Sequence, residues 1–248
     1  MPEALPVTNP VLHGVGIDKN FGAFRVLKAV DFRVNTGEAV GIVGPNGAGK
    51  TTLFGVLAGA FPPTAGSVAF EEHDITDWTA ARRSRHGLAR THQIPRPFLG
   101  MTVFENVLTG ANNGGGLTGR EAGDCAAEAL ERTQLLDHAN RPAAALGLLD
   151  RKRLELARAL ATRPRVILLD EIGGGLTEAE LHRLVNLIAG LKAGGLTIVW
   201  IEHILHALLK IIDRLVCMSA GEVIAQGEPR QVMADADVRR AYLGSGVE

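Results

Sequence analysis

The chain has 248 residues, of which 46% are hydrophobic and 21% charged, and its formal net charge at pH 7 is −1. That length suits one large α/β domain, or a domain with a small subdomain, and the composition is too apolar for intrinsic disorder. The balanced charge leaves no electrostatic footprint for nucleic acid, no run of about 18 apolar residues is available to span a membrane, and no basic segment followed by an apolar one marks a signal peptide.

Residues 1–10 read as a loose leader with three prolines. Val11 to Val34 alternates enough to suggest antiparallel strands, with a turn at Phe21-Gly22. Ala39-Val40-Gly41-Ile42-Val43 is a short apolar run that reads as a buried strand. It leads into Gly44-Pro45-Asn46-Gly47-Ala48-Gly49-Lys50-Thr51, which fits G-x-x-x-x-G-K-[ST]. Thr52 to Ala58 reads as the helix behind it. A glycine-rich turn is the bland reading, but strand, loop and helix in this order are the context a phosphate-binding loop requires. Its glycines let backbone N–H groups turn inward around an anion, and the helix N-terminus adds unpaired donors and the positive dipole end. Lys50 then reaches the β- and γ-phosphates, and Thr51 ligates Mg²⁺.

Past the turn Pro62-Pro63-Thr64-Ala65-Gly66, Val68-Ala69-Phe70 and Ile75 read as short strand material. Arg82, Arg83 and Arg85 cluster, which a solvated helix face explains. From about Thr102 to Ala161 the composition is helical, broken at Asn112-Asn113-Gly114-Gly115-Gly116, which reads as a flexible loop. Val166-Ile167-Leu168-Leu169 and Thr197-Ile198-Val199-Trp200-Ile201 read as buried strands. Between them Leu181, Leu184, Val185, Ile188 and Leu191 follow a helical period. Leu215 to Met218 and Val223 to Ala225 suggest a terminal hairpin around Gly221. Apolar strands alternating with helices predict a mainly parallel sheet covered on both faces. Cys125 and Cys217 lie far apart without metal or redox spacing and read as reduced thiols of a cytosolic protein.

A buried strand that stops at Asp170-Glu171 puts two carboxylates at the sheet's C-terminal edge, where ligands bind in such folds. Asp170 fits a Mg²⁺-organising role and Glu171 the group that polarises an attacking water. A helix N-cap pair after a strand is the alternative, and the phosphate loop weighs against it.

With these two motifs the chain resembles the ATP-binding subunits of ABC transporters over nearly its full length. The resemblance implies a P-loop NTPase core of α/β class with an antiparallel β subdomain, and an inserted helical subdomain at about 94–162, all within one domain over 1–248. It implies ATP and Mg²⁺ as cofactors, with Gly44 through Thr51 and Thr52 around the nucleotide and Phe21 stacked on adenine. Gln93, in Arg90-Thr91-His92-Gln93, is similar to the family's Q-loop glutamine, which contacts Mg²⁺ and the water. His203, directly after a strand in Ile201-Glu202-His203, is similar to the switch histidine that contacts the γ-phosphate. Gly87 to Gln93, Met101 to Val107, Arg153 to Leu160 and Trp200 to His203 are similar to branched-chain amino acid importer ATPases. Subunits for urea or other solutes, lipid exporters and soluble ABC ATPases of translation or DNA repair are the alternatives. A P-loop kinase would not need Gln93, Asp170-Glu171 and His203 together. The resemblance further implies transmembrane permease partners, a second ATPase subunit in a homo- or heterodimer, an indirect solute-binding protein, and a peripheral place on the cytoplasmic face of the membrane. The apolar stretch Pro97-Phe98-Leu99 and Thr102-Val103-Phe104 is expected to line a groove for a permease helix.

The chain departs from the family in two places. The signature Leu-Ser-Gly-Gly-Gln falls on Leu146-Gly147-Leu148-Leu149-Asp150, facing the partner. The serine hydroxyl is gone, and Leu149 stands where a glycine lets backbone approach phosphate. Asp150 reads as the N-cap of the next helix, with Arg151, Lys152 and Arg153 in its first turn, the wrong sign for the dipole. A solvated face, or a phosphate from the partner, would answer those charges. The second departure is Ile172-Gly173-Gly174-Gly175-Leu176-Thr177, where the family has Pro after the glutamate and Asp after the leucine.

Overall fold

A computed structural model describes residues 10–243, so the proline-rich leader lies outside the described residues except for Pro10. The chain opens with strands β1 (Leu12–Phe21) and β2 (Phe24–Val34), then β3 (Ala39–Val43) and helix α1 (Lys50–Ala58). Next come β4 (Ala65–Phe70), β5 (His73–Asp74), α2 (Ala80–Arg85) and β6 (Leu88–Arg90). Three helices follow, α3 (Val103–Asn113), α4 (Gly119–Arg132) and α5 (Leu148–Leu160). The core resumes with β7 (Val166–Asp170), α6 (Glu178–Ala193), β8 (Thr197–Ile201) and the short α7 (Leu205–Leu208). It closes with β9 (Arg214–Ser219), β10 (Glu222–Gly227), α8 (Pro229–Ala234) and α9 (Ala236–Leu243).

The strands form two sheets, an antiparallel one in the order β2-β1-β4-β5 and a six-stranded one in the order β10-β9-β3-β8-β7-β6. In the second, β9, β3, β8, β7 and β6 run parallel and only β10 is antiparallel. Strands β3, β7 and β8 are buried at every residue, as helices or a second sheet on both faces require. Their side chains alternate between two cores. Val40, Ile42, Leu168, Val199 and Ile201 join α1 and the antiparallel sheet. Ile167, Leu169, Ile198 and Trp200 join α3 to α6. This double packing sets the C-terminal ends of β3, β7 and β8 side by side, and each of those ends carries a piece of the site.

Two local expectations are corrected. Arg83 does not belong to a solvated helix face: it is 1% exposed. Its Nη1 donates to the carbonyls of Val56 and Leu57, Nη2 to Ile75 and Thr76, and Nε to Trp78, at 2.6–3.2 Å. Five donors on five carbonyls use the whole guanidinium, including two acceptors at the negative end of α1. Gly59 makes room for it, since a Cβ there would lie 2.7 Å from Arg83 Nε and φ is +75°. Arg82 and Arg85 stay exposed. The run Asn112 to Gly116 is not a free loop either. The N–H groups of Gly114 and Gly115 donate to Gly110 and that of Leu117 to Ala111, and a Cβ on Gly114 would lie 2.4 Å from Thr162 Cγ2. It is the bonded end of α3, packed on the end of α5.

Candidate active site

The phosphate loop joins β3 to α1 and is fixed by close backbone contacts. A Cβ on Gly44 would lie 2.1 Å from the carbonyl oxygen of Met218 in β9, and one on Gly49 would lie 2.8 Å from Leu27 Cδ2 in β2. Gly221 N–H donates to the Ala48 carbonyl, and Lys28 N–H donates to that of Gly221. Gly44, Gly47 and Gly49 have φ of +148°, +81° and +99°, a region where side chains are strained. Helix α1 begins at Gly49 with no side-chain cap and no acidic residue in its first turn. Its opening N–H groups and positive dipole end therefore remain for an anion. Lys50 is buried, with Nζ donating to the carbonyls of Gly44 at 2.7 Å and Pro45 at 3.1 Å. Burial pushes its ammonium below the usual lysine range, against the opposing charges of Glu171 and Asp170. Asn46 and Thr51 are exposed at the rim, with Thr52 half-buried. Donors without a capping acid, glycines without Cβ and one buried cation fit a polyphosphate.

At the end of β7, Asp170 is buried and its Oδ2 accepts from Arg90 Nη2 at 2.7 Å. Its N–H donates to Thr91 Oγ1 at 3.4 Å. Glu171 follows in the left-handed region, φ +45°, its N–H bonded to the Ile201 carbonyl of β8 at 2.9 Å. This turn aims the carboxylate at two side chains. His203 Nε2 stands 2.7 Å from Oε1, and Gln93 Nε2 donates to Oε2. A carboxylate only accepts, so this contact is a hydrogen bond in the form of His203 that carries a proton on Nε2. Gln93, Glu171 and His203 come from three separate elements and meet at one point.

Sequence reasoning assigned no role to Glu202. Its buried carboxylate accepts from the N–H of Gly173 at 3.0 Å and of His203 at 3.1 Å. It therefore ties the loop after Glu171 to the loop carrying His203. A Cβ on Gly173 would lie 2.8 Å from Glu202 Oε2, so any side chain there would push on the carboxylate that makes this tie. Phe21 is half exposed, its ring edge-on to Phe61 at 5.4 Å and 81°. Lys19 Nζ lies about the pair, 5.2 and 4.9 Å from the two centroids.

The signature segment needs three corrections. First, α5 starts one turn earlier than expected: its N-cap is Gly147, and Asp150 lies inside the first turn, where a negative charge suits the dipole. Asp150 accepts from Arg153 at 3.4 Å. Second, Leu149 is 7% exposed and faces the chain's own core, whereas Leu148 is 43% exposed. The outward bulk is Leu148, whose Cδ2 would lie 3.2 Å from a Cβ on Gly175. Third, the basic run is no solvated face: Lys152 and Arg153 are buried. Arg153 reaches Gln134 at 3.1 Å. Burial lowers the pKa of Lys152, with the charges of Glu202 and Glu171 opposing it only in part.

Beside β6, between α3 and α5, lies an open groove of about 470 Å³ lined by Arg90, Arg96, Phe98, Thr109, Glu155 and Arg158 among others. Arg158 sits 4.7 Å over the Phe98 ring. Phe98 and Leu99 are exposed, but Val103 is fully buried in the helical core and does not line it. Cys217, paired in register with Val43 just before the phosphate loop, is a buried thiol pushed up to about 11 by desolvation.

Chemically, a carboxylate held by two donors at the mouth of an anion cradle can orient a water and take its proton. Thr51 and Asp170 supply hard oxygen donors of the kind Mg²⁺ takes. Among the described residues no cluster of three or more His, Cys, Asp or Glu forms a metal cage. Mg²⁺ in phosphate sites uses one or two protein oxygens and completes its shell from phosphate and water, so the residues fit it. No helix among the described residues is long and apolar enough to cross a membrane.

Residues 27–173 match the ABC transporter family model, and residues 222–248 match that of the branched-chain amino acid ATP-binding cassette transporter. The chain is 38% identical to the high-affinity branched-chain amino acid transport ATP-binding protein LivG of Escherichia coli, over 96% of this chain and 99% of that one. The crystal structure of an ATP-binding cassette of an ABC transporter in its ADP conformation superposes with a TM-score of 0.86 at 35% identity, covering 96% of this chain and all of that one. A dimeric cassette bound to ADP and Pi superposes with a TM-score of 0.78 at 25% identity, covering 88% and 99%.

Proposed function

This chain belongs to the ABC transporter family and is an ATPase, and we propose that it powers an importer of branched-chain or related amino acids. The convergence of Gln93, Glu171 and His203 beside the phosphate loop carries the reading. In it, Gly44 to Thr52 hold the phosphates, Phe21 stacks on the base, Thr51, Gln93 and Asp170 hold Mg²⁺, and Glu171 is the general base. Gln93 and His203 fix the water and the terminal phosphate. The segment Gly147-Leu148-Leu149-Asp150 faces the P-loop of a second ATPase subunit across a dimer. The helices inserted between β6 and β7 make a subdomain at about 94–162, whose groove at Phe98 receives a helix of the permease. A solute-binding protein meets only the permeases. The chain sits peripherally on the cytoplasmic face of the membrane. The relatives' name supports amino acids over urea, lipid or a non-transport role.

The signature departure supports unequal ATP sites. The missing hydroxyl at Gly147 and the outward Leu148 weaken the site that this segment completes on the partner. Lys50, Asp170, Glu171 and His203 are intact, so this chain's own site works when the partner supplies a regular signature. Uptake of labelled leucine in membranes carrying the full transporter tests the main reading. Wild-type chain is expected to restore ATP-dependent uptake to a deletion strain, and Lys50→Ala is not. Equal uptake with both would overturn it.

A further inference from the structure

Arg83 and Arg90 both reach buried acceptors, and they are built differently. Arg83 uses all five donors on backbone carbonyls. Arg90 places one nitrogen on one oxygen: Nη2 lies 2.7 Å from Asp170 Oδ2, with the two side chains 16% and 4% exposed. Its Nε is buried without a partner, and its guanidinium carbon lies 5.9 Å from the centroid of Phe54 in α1. Arg90 ends edge strand β6, three residues before Gln93, and the Thr91 N–H donates to Leu168 of β7. One charge-assisted bond with spare donors holds a carboxylate in place yet can be displaced. Arg83's saturated fork cannot let go without breaking five hydrogen bonds at once.

We propose that Arg90 is a positioning residue that competes with Mg²⁺ for the Asp170 carboxylate and thereby sets the Mg²⁺ concentration at which the nucleotide site loads. The inference rests on the reading of Asp170 as the Mg²⁺-organising acid. Arg90 aims the carboxylate, and its charge raises the metal concentration needed to take that carboxylate over. Removing Arg90 should therefore lower two quantities together. The Mg²⁺ midpoint should fall, because the competing cation is gone. Turnover should also fall, because the acid is no longer aimed. Loss of local structure alone would raise the midpoint while lowering turnover.

The test uses the full chain and a non-hydrolysable ATP analogue, reading the Mg²⁺ midpoint of the analogue-induced rise in melting temperature, with kcat measured alongside. For Arg90→Gln the midpoint is expected to fall about tenfold, the worth of one charge-assisted hydrogen bond. The analogue should bind in EDTA within about threefold of wild type, since binding there rests on the phosphate loop, where one tenfold step is 1.4 kcal/mol. A midpoint unchanged or raised overturns the proposal. If wild type shows no Mg²⁺ dependence of analogue binding at all, the underlying reading of Asp170 fails instead. If Arg90→Gln does not melt cooperatively, Arg90→Lys decides. Its more strongly hydrated ammonium, without the planar fork, should lower the midpoint about two- to threefold, and no change there overturns the proposal.

Discussion

The outward position of Leu148 makes the signature departure testable without breaking the chain. Leu149 is part of the core, so Leu149→Gly would cost about 2–5 kcal/mol for the lost side chain and about 1 more for glycine in a helix. Loss of activity there would mean nothing. Leu148 is 43% exposed at the first residue of α5, so Leu148→Gly forfeits about 1–2 kcal/mol in all, tolerable against a typical stability of 5–15 kcal/mol. Gly147 has open space around the position a Cβ would take, so Gly147→Ser fits without strain. The double variant restores a hydroxyl and exposes backbone N–H to the partner's phosphate. Each regained charge-assisted contact is worth about 1.5–3 kcal/mol, or roughly tenfold or more in affinity for ATP at the composite site. Steady-state ATPase activity of the single purified chain reads this out. Slow wild-type turnover and a gain of about tenfold or more in the double variant are expected. A fast wild type that the change leaves alone would refute unequal sites, and with them the need for a second, different subunit.

Glu171→Gln presents one acceptor oxygen where two donors now bind, and removes the base. Turnover should fall about 10²–10⁴-fold while Mg-ATP still binds; loss of binding with unchanged turnover per bound ATP would contradict the assignment. Phe98→Asp replaces a ring packed under Arg158 with a charge that Arg158 can pair, so the chain should fold. Transport is then expected to uncouple with basal ATPase within a few-fold, as compared in vesicles and in solution; normal transport would remove the groove from the coupling path. Arg83→Met should lower unfolding stability by about 3–5 kcal/mol, because five carbonyls lose a charge-assisted donor and only those of Val56 and Ile75 keep a backbone N–H, whereas exposed Arg82→Met should stay within about 0.5. Urea denaturation of both compares them, and equal effects would mean the fork is not the anchor described.

The sequence made legible whatever is local. The phosphate loop needs glycines where the backbone runs through positive φ, and Asp170-Glu171 ends a strand of four apolar residues; both facts sit within ten residues. The buried strands were readable because two-sided packing leaves a continuous apolar run. What failed depends on which way a side chain turns once distant elements arrive. Arg83 looks like its neighbours Arg82 and Arg85 until the end of α1 is folded against it. Leu148 and Leu149 differ only in the direction each faces from the start of α5, and moving that start by one turn reassigns Asp150 from cap to first turn. Glu202 and Arg90 stand inside motifs that were quoted, but their partners Gly173 and Asp170 lie 29 and 80 residues away. Local spacing holds no trace of those pairings.

The contacts that leave no room for a Cβ at Gly44 and Gly49 have a thermodynamic meaning. Met218 and Leu27 press on the phosphate loop from two other strands, and the turn at Gly221 is bonded to it. The loop's shape is thus settled when the protein folds, and an incoming polyphosphate does not have to impose order on it. Most of the ordering entropy falls on folding, so phosphates shared by ATP and ADP meet the same prepared surface. On the proposed reading, discrimination between the two nucleotides is left to groups outside that surface, carried on separate elements. Gln93 and His203, which meet at Glu171 from two other elements, are the groups that the proposed reading assigns to that task.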